Sequence, residues 1–267
     1  MEFGFVSQGA TEIAFQFNGT GDPILFIHAG VADSRMWQRQ MNLPGYRCVA
    51  FDQRGFGQTR WAPGTYAEWR DAVTVLDHLE IDSAVVVGCS FGASVAMNLA
   101  LEVPDRVTAL VLVGAAAEGW EPKDGWPEDP IWDEAMAASE AGDLSRVIEI
   151  DAKLWLAGPG RELDQIDPEM VDLFLEMGRT PAATEKERQA QVERYESATN
   201  DRLDEITAPT LVVVGAHDQP DLIESADYLA ARLSEEPVLL IENAAHLPSL
   251  EEPETFNQGL MSFLSNV

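Results

Sequence analysis

Only two of the 267 residues are cysteine, Cys48 and Cys89. Each lies in or beside an apolar, strand-like run, so both are read as reduced, buried thiols rather than as a disulfide. No His or Cys spacing matches a metal site, and no metal or other cofactor is expected. Long hydrophobic runs are missing, which excludes a bilayer-spanning helix. The opening residues, MEFGFVSQGATEIAF, lack the basic and apolar regions of a secretory signal, so a cytoplasmic location is expected. Positive charge is scarce: 17 Lys and Arg stand against 46 Asp and Glu, a formal net charge of -29. Such a surface repels nucleic acid and anionic membranes and argues against both as partners, while a homo-oligomer stays open. The same field disfavours highly anionic substrates, although salt screens it beyond roughly 8–10 Å.

What the chain does have is apolar content, 46% of its residues, enough for one sizeable core. Runs rich in Val, Ile and Leu recur with helix-like segments between them. Strands are expected at Thr11 to Phe17, Pro23 to His28, Tyr46 to Asp52, Ser83 to Gly88, Val107 to Gly114, Thr210 to Gly215 and Val238 to Glu242. Helices are expected at Glu68 to Leu79, Ala93 to Glu102, Asp221 to Leu233 and Pro253 to Leu264. Continuous apolar strands alternating with helices indicate an α/β fold, a mostly parallel sheet covered on both faces.

The stretch from about Glu118 to Asp204 breaks this rhythm. It has no β-branched run and reads as helices at Asp129 to Glu140, Leu144 to Trp155, Pro168 to Met177 and Ala183 to Ser197, punctuated by prolines including Pro181. The expected organisation is therefore a core of residues 1–117 and 205–267 with a helical cap, 118–204, over the strands' C-terminal ends, where such sheets bind ligands.

One pentapeptide carries chemistry: Gly88-Cys89-Ser90-Phe91-Gly92, a G-x-S-x-G sequence between an apolar strand and a helix. The turn must be so tight that Ser90 is strained and its hydroxyl projects, with glycines removing the Cβ atoms that would collide. Serine is a poor nucleophile without a base and a group that orients the base. The chain has four histidines. His78 sits among charged helix residues, His28 ends a strand, and His217 adjoins a better acid. His246, in a loop after the last strand, leaves the same sheet edge as Ser90 and is the expected base. The acid is expected at Asp218, just past the strand Thr210 to Gly215, with Asp221 and Glu118 as alternatives. An oxyanion would be held by the Phe91 amide, at the start of a helix, and by Gly30 in the loop after His28. A histidine base must be neutral, so efficiency should fall below roughly pH 6.5, the reference imidazole value.

With these residues placed, the chain resembles the α/β-hydrolase fold superfamily over nearly its full length. The order Ser90, Asp218, His246 is the order that superfamily uses. Asp52-Gln53-Arg54-Gly55-Phe56-Gly57 is similar to its Asp-x-Arg-Gly-x-Gly turn, taken as structural. The stretch His28 to Trp37 resembles the branch that contains 3-oxoadipate enol-lactonases and similar esterases. Ala29 stands where the superfamily commonly has glycine, and a glycine-only backbone angle there would strain it. Ser90 in place of an aspartate argues against haloalkane dehalogenase or epoxide hydrolase chemistry.

The resemblance implies a cofactor-free serine hydrolase acting on a small ester or lactone. A neutral, hydrophobic substrate is expected from the net charge, unless Arg35, Arg54 or a cap arginine makes a local positive site. Of Trp120, Trp126, Trp132 and Trp155, most should pack the cap and one or two should line the pocket. Alternatives are C–C bond hydrolysis, perhydrolysis or acyl transfer by the same triad, and a receptor-like ligand-binding protein with little turnover.

Overall fold

The computed structural model describes residues 1–126, 129–189, 191–193 and 197–267. Its eight-stranded sheet runs in the order β1-β2-β4-β3-β5-β6-β7-β8. The strands are β1 (Glu2–Gln8), β2 (Thr11–Asn18), β3 (Asp22–Ile27), β4 (Tyr46–Phe51), β5 (Ala84–Cys89), β6 (Val107–Val113), β7 (Thr210–Gly215) and β8 (Leu239–Ile241). From β4 onward in that order, all neighbours are parallel, whereas β1–β2 and β2–β4 are antiparallel. The α/β expectation is met by this mostly parallel sheet.

The parallel strands are apolar on both faces because both faces are covered. In β3, Leu25 and Ile27 enter one core while Ile24 and Phe26 enter the other. The same alternation separates Val86 from Val85 and Val87 in β5, and Val212 and Val214 from Leu211 and Val213 in β7. The first core is closed by α1 (Glu68–His78), α2 (Phe91–Glu102) and α7 (Pro220–Leu233), through Val75, Leu99 and Leu229 among others. The second is closed by the short α8 (Pro248–Glu251), with Leu250, by α9 (Pro253–Leu264), with Phe256 and Leu260, and by the fully buried Trp37.

β1 has no counterpart among the expected strands. It is an edge strand that pairs only with β2, from Glu2 opposite Phe17 to Gln8 opposite Thr11. Val6 is its sole buried residue, and Phe3 is 54% exposed. An edge strand with little burial leaves no hydrophobic run to read.

Between β6 and β7 the chain leaves the sheet for α3 (Pro130–Ala141), α4 (Leu144–Asp151), α5 (Pro168–Met177) and α6 (Arg179–Gln189). Two expectations there need correction. The helix expected from Leu144 to Trp155 is α-helical only to Asp151 and continues as a π-helical turn, Ala152–Ala157. The helix expected from Ala183 to Ser197 is α6 instead, beginning four residues earlier and ending by Gln189. Residues 190 and 194–196 lie outside the described residues. Pro181 does not break α6, because it is the third residue of the helix, where no backbone N–H is yet needed.

Parallel strands place all their C-terminal ends on one edge. β3 lies between β4 and β5, so successive connections leave it in opposite directions and a crevice opens at its C-terminal end. The turn expected to be structural borders that crevice and behaves as such. Asp52 accepts from the Ser34 and Gln58 amides at 2.9 and 2.8 Å. Arg54 makes a buried two-pronged ion pair with Asp71, both contacts at 2.8 Å, and its guanidinium lies 4.4 Å from the Tyr66 ring centroid. Replacing Arg54 by methionine leaves the Asp71 carboxylate buried without its cation. A loss of about 3–5 kcal/mol is expected in equilibrium urea unfolding.

Candidate active site

The site begins with a backbone constraint. β5 ends at Cys89, α2 begins at Phe91, and only Ser90 separates them. Ser90 has φ 53° and ψ -116°, one of two described non-glycine residues with positive φ. Its N–H donates to Val113 O on β6 at 2.8 Å, and its carbonyl accepts from Ala93 and Ser94 in the first turn of α2. A Cβ on Gly88 would lie 2.2 Å from Gly92 O, and one on Gly92 would lie 2.3 Å from Ile27 O on β3. Both flanking glycines are thus required by backbone packed on backbone, Gly88 against the start of α2 and Gly92 against β3, while the Ser90 amide ties the elbow to β6.

Asp218 follows β7 by three residues, and its carboxylate is 2.9 and 3.0 Å from His246 Nδ1. Asp218 also accepts from the Gln219 amide at 2.8 Å. Both residues are buried. An imidazole that donates from Nδ1 leaves Nε2 as its remaining proton acceptor. Of the three carboxylates considered, Asp218 is the one that meets His246. Asp221 instead lies in the first turn of α7, and Glu118 is exposed. Of the other histidines, His28 is wholly buried. Its Nε2 accepts from the Gln53 amide at 3.0 Å and its Nδ1–H donates to Ala29 O at 2.8 Å. Burial lowers its pKa, so it stays neutral and packs the crevice. Cys89 and Cys48 are free and buried, and burial pushes the Cys89 thiol well up.

Gly30 and Phe91 come together beside Ser90: a Cβ on Gly30 would sit 3.4 Å from Phe91 Cβ. Phe91 is the first residue of α2, so its amide has no carbonyl one helical turn back to bond. Ala29 is fully buried and does not have positive φ, so alanine replaces glycine there without the strain that a glycine-only angle would bring.

Ser90, His246, Gly30 and Phe91 line one cavity of about 660 Å³. The helices between β6 and β7 supply its other wall. Trp132 and Trp155 line it, as expected of one or two of the tryptophans, whereas Trp120 is buried in the core. The Trp155 ring centroid is 4.6 Å from that of His246, and its carbonyl accepts from the His246 amide at 3.2 Å. Charged groups also face the space. Burial pushes Glu68 up to about 7 and Asp151 up to about 6. Arg188, from α6, is 8% exposed.

The sequence did not reveal the Glu251 clamp, the π-turn that carries Trp155, or the meeting of Arg188 with Glu68. Glu251 accepts from the Ala245 and Leu247 amides on either side of His246 and pairs with Arg161 at 2.9 Å, clamping the loop. Trp155 belongs to a helix whose π-turn has no sequence signature. Arg188 and Glu68 stand 120 residues apart in sequence and meet only in space. Among the described residues there is no cluster that could hold a metal ion, and no helix is long and apolar enough to cross a membrane.

Comparison with known proteins is consistent across the whole chain. A family profile described as alpha/beta hydrolase fold matches residues 22–253. The chain is 26% identical over 268 residues to 3-oxoadipate enol-lactonase 1 of Acinetobacter baylyi, covering 97% of this chain and 95% of that protein. It is 28% identical over 264 residues to 2-hydroxymuconate semialdehyde hydrolase of a Pseudomonas species, covering 93% and 88%. Among solved structures, the esterase EaEST from Exiguobacterium antarcticum superposes with a TM-score of 0.80 at 25% identity, covering 98% of this chain and 99% of that one.

Two outcomes are expected from this geometry. Gly92→Ala forces a methyl group into the β3 backbone, and chemical denaturation should show a loss of about 3 kcal/mol or more. Glu68 is held protonated by burial, so its ionisation opposes folding. Stability relative to Glu68→Gln is fully retained below the unfolded carboxyl value near 4.5 and falls as pH rises toward about 7. Unfolding free energies in urea should therefore coincide at pH 4 and favour Glu68→Gln at pH 8, by about 3 kcal/mol.

Proposed function

The chain belongs to the alpha/beta hydrolase fold family, and on that premise we propose that it cleaves a small carboxylic ester or lactone through an acyl-enzyme on Ser90. Ser90 Oγ attacks the substrate carbonyl while His246 Nε2 takes its proton. Asp218 holds the Nδ1–H tautomer and stabilises the imidazolium that forms. The Gly30 and Phe91 amides donate to the oxyanion, where electrostatic stabilisation is worth most. His246 then protonates the departing alkoxide. Water, deprotonated by the same imidazole, hydrolyses the acyl-enzyme and restores Ser90.

The observation that carries this reading is the strained Ser90 on the same cavity as a histidine whose other nitrogen is engaged by a buried carboxylate. The likeness to an enol-lactonase and to an esterase supports an ester or lactone. Neutrality of the substrate was expected from net charge, with an arginine at the site as the stated exception. Arg35 is engaged by Asp33 and Glu176, and Arg54 by Asp71, whereas Arg188 lines the cavity.

The second reading uses the same three residues on a carbon–carbon bond. It is favoured by the likeness to a hydrolase whose named substrate is a semialdehyde, not an ester. Product analysis with esters, lactones and vinylogous diketones separates the two.

Ser90→Ala should abolish hydrolysis of 4-nitrophenyl butyrate while far-UV circular dichroism stays unchanged, and Asp218→Asn should lower kcat by about 10³-fold or more. Activity surviving in Ser90→Ala would refute the nucleophile assignment.

A further inference from the structure

Among the described residues, Arg188 is a buried cation with no carboxylate paired to it. Its exposure is 8%, equal to that of Arg54, and yet the two differ. Arg54 is paired with Asp71, and the partly buried Arg161 is paired with Glu251. No carboxylate lies within ion-pair distance of Arg188 among the described residues, and its buried Nε has no hydrogen-bond partner. Carboxylates are not in short supply, with 46 Asp and Glu in the chain. A buried guanidinium without a counter-charge is costly, because its charge and its Nε donor have been taken out of water without replacement.

What holds Arg188 there is aromatic and steric. Its guanidinium carbon is 4.5 Å from the Phe56 ring centroid and 5.2 Å from that of Phe91. Those two rings are themselves stacked at 6.1 Å. Gly55, at φ 81°, leaves room for the stem: a Cβ there would be 3.1 Å from Arg188 Cδ. Contacts with ring faces engage the plane of a guanidinium and leave the in-plane N–H groups at its edge for an acceptor. Arg188 lines the cavity that holds Ser90 and Gly30, and Phe91 connects them. The backbone of Phe91 is adjacent to Ser90, and its side chain carries the guanidinium.

We propose that Arg188 is the specificity residue of the cavity and binds a carboxylate on the substrate, so that the preferred substrate is a monoanionic ester or lactone. The inference rests on the hydrolase reading above and names the substrate class within it. A carboxylate is the acceptor that matches a guanidinium edge, taking two parallel N–H···O bonds. It would neutralise the cation that lines the cavity. Glu68 and Glu185 act on Arg188 electrostatically from farther off and compete with an incoming anion. Burial keeps Glu68 largely protonated below about pH 7, which weakens that competition. The net charge of -29 slows approach of an anion at low salt without changing what the cavity binds once it arrives.

The test compares half-esters with neutral partners of the same shape. Monomethyl succinate, glutarate and adipate are paired with esters in which an isopropyl group replaces the carboxylate, beginning with methyl 4-methylpentanoate. At pH 6.5 and 0.15 M salt, wild-type kcat/KM should be higher for at least one half-ester than for its neutral partner. In Arg188→Met the ratio of the two should drop by about 10- to 100-fold, mainly through KM, as expected for loss of a charge-assisted pair. Arg188→Lys should recover part of it, and Glu68→Gln should raise it.

Two further readouts do not depend on turnover. Butyrate, a monoanion at pH 6.5, followed by calorimetry, should bind wild type and not Arg188→Met. Arg188→Met should also raise Tm without ligand, because it removes an uncompensated buried charge. A neutral ester preferred at every length, an unchanged ratio in Arg188→Met, or a lowered Tm without loss of carboxylate binding would each overturn the assignment. If no ester is turned over, the hydrolase reading fails on Ser90, and the calorimetry still decides Arg188.

Discussion

The structure depends on one close approach, the packing of the Ser90 turn against the backbone of β3 and β6. Gly92 meets the Ile27 and His28 carbonyls, Gly88 meets Gly92, and the Ser90 amide is spent on Val113. Positive φ at a serine costs on the order of 1–3 kcal/mol and persists only where surrounding contacts over-determine it. Here those contacts are β-sheet and helix backbone, which cannot relax by a rotamer change. The strain therefore serves as placement. It sets the hydroxyl at the C-terminal edge of the sheet, beside the Gly30 loop, at the point where strand order reverses.

The second constraint is on the loops that face the turn. Glu251, itself neutralised by Arg161, accepts the amides that bracket His246, while Gln219 beside Asp218 donates to Leu154 O at 2.9 Å. Gly158, just past the π-turn, would place a Cβ 2.0 Å from His217 O. The segment Ala152–Ala157 is thus tied to the Asp218 loop and the His246 loop together. It sets Trp155 against the imidazole, and a widened π-turn inside a helix often marks a functional site. The imidazole is oriented by a carboxylate from one side and packed by an indole from another, so little freedom is left in its ring.

The cavity enclosed by these walls is mixed in character. Trp132, Trp155 and Phe91 give it apolar surface, and Arg188, Glu68 and Asp151 give it charge. Three carboxyls line it, Glu68, Asp151 and Glu185, and burial raises the first two, Glu68 up to about 7, so near neutral pH Glu68 in particular presents less negative charge than a count of acidic residues suggests. Net charge is a property of the surface field and says little about a pocket lined by a few buried groups.

Local patterns decided much of this. Valine-rich runs bounded by glycine and proline mark the parallel strands, G-x-S-x-G marks the elbow, and the chain order of Ser90, Asp218 and His246 places all three at strand ends. These are legible because they depend on short-range sterics and on the rule that parallel strands end together. The edge strand β1 was not legible because it buries too little to leave a period, and the true span of α6 was obscured by Pro181, harmless in a first turn. The π-turn at Trp155, the Glu251 clamp and the solitary Arg188 were decided only by tertiary structure. Arg161 reaches Glu251 across 90 residues, the Ala152–Ala157 segment is held by the Asp218 and His246 loops, and whether a buried charge finds a partner is a fact about three-dimensional neighbours. The sequence by itself thus determined the fold and the residues that gather at the C-terminal edge of its sheet. The packing of the helical segment over that edge decided which charged groups share the cavity with Ser90.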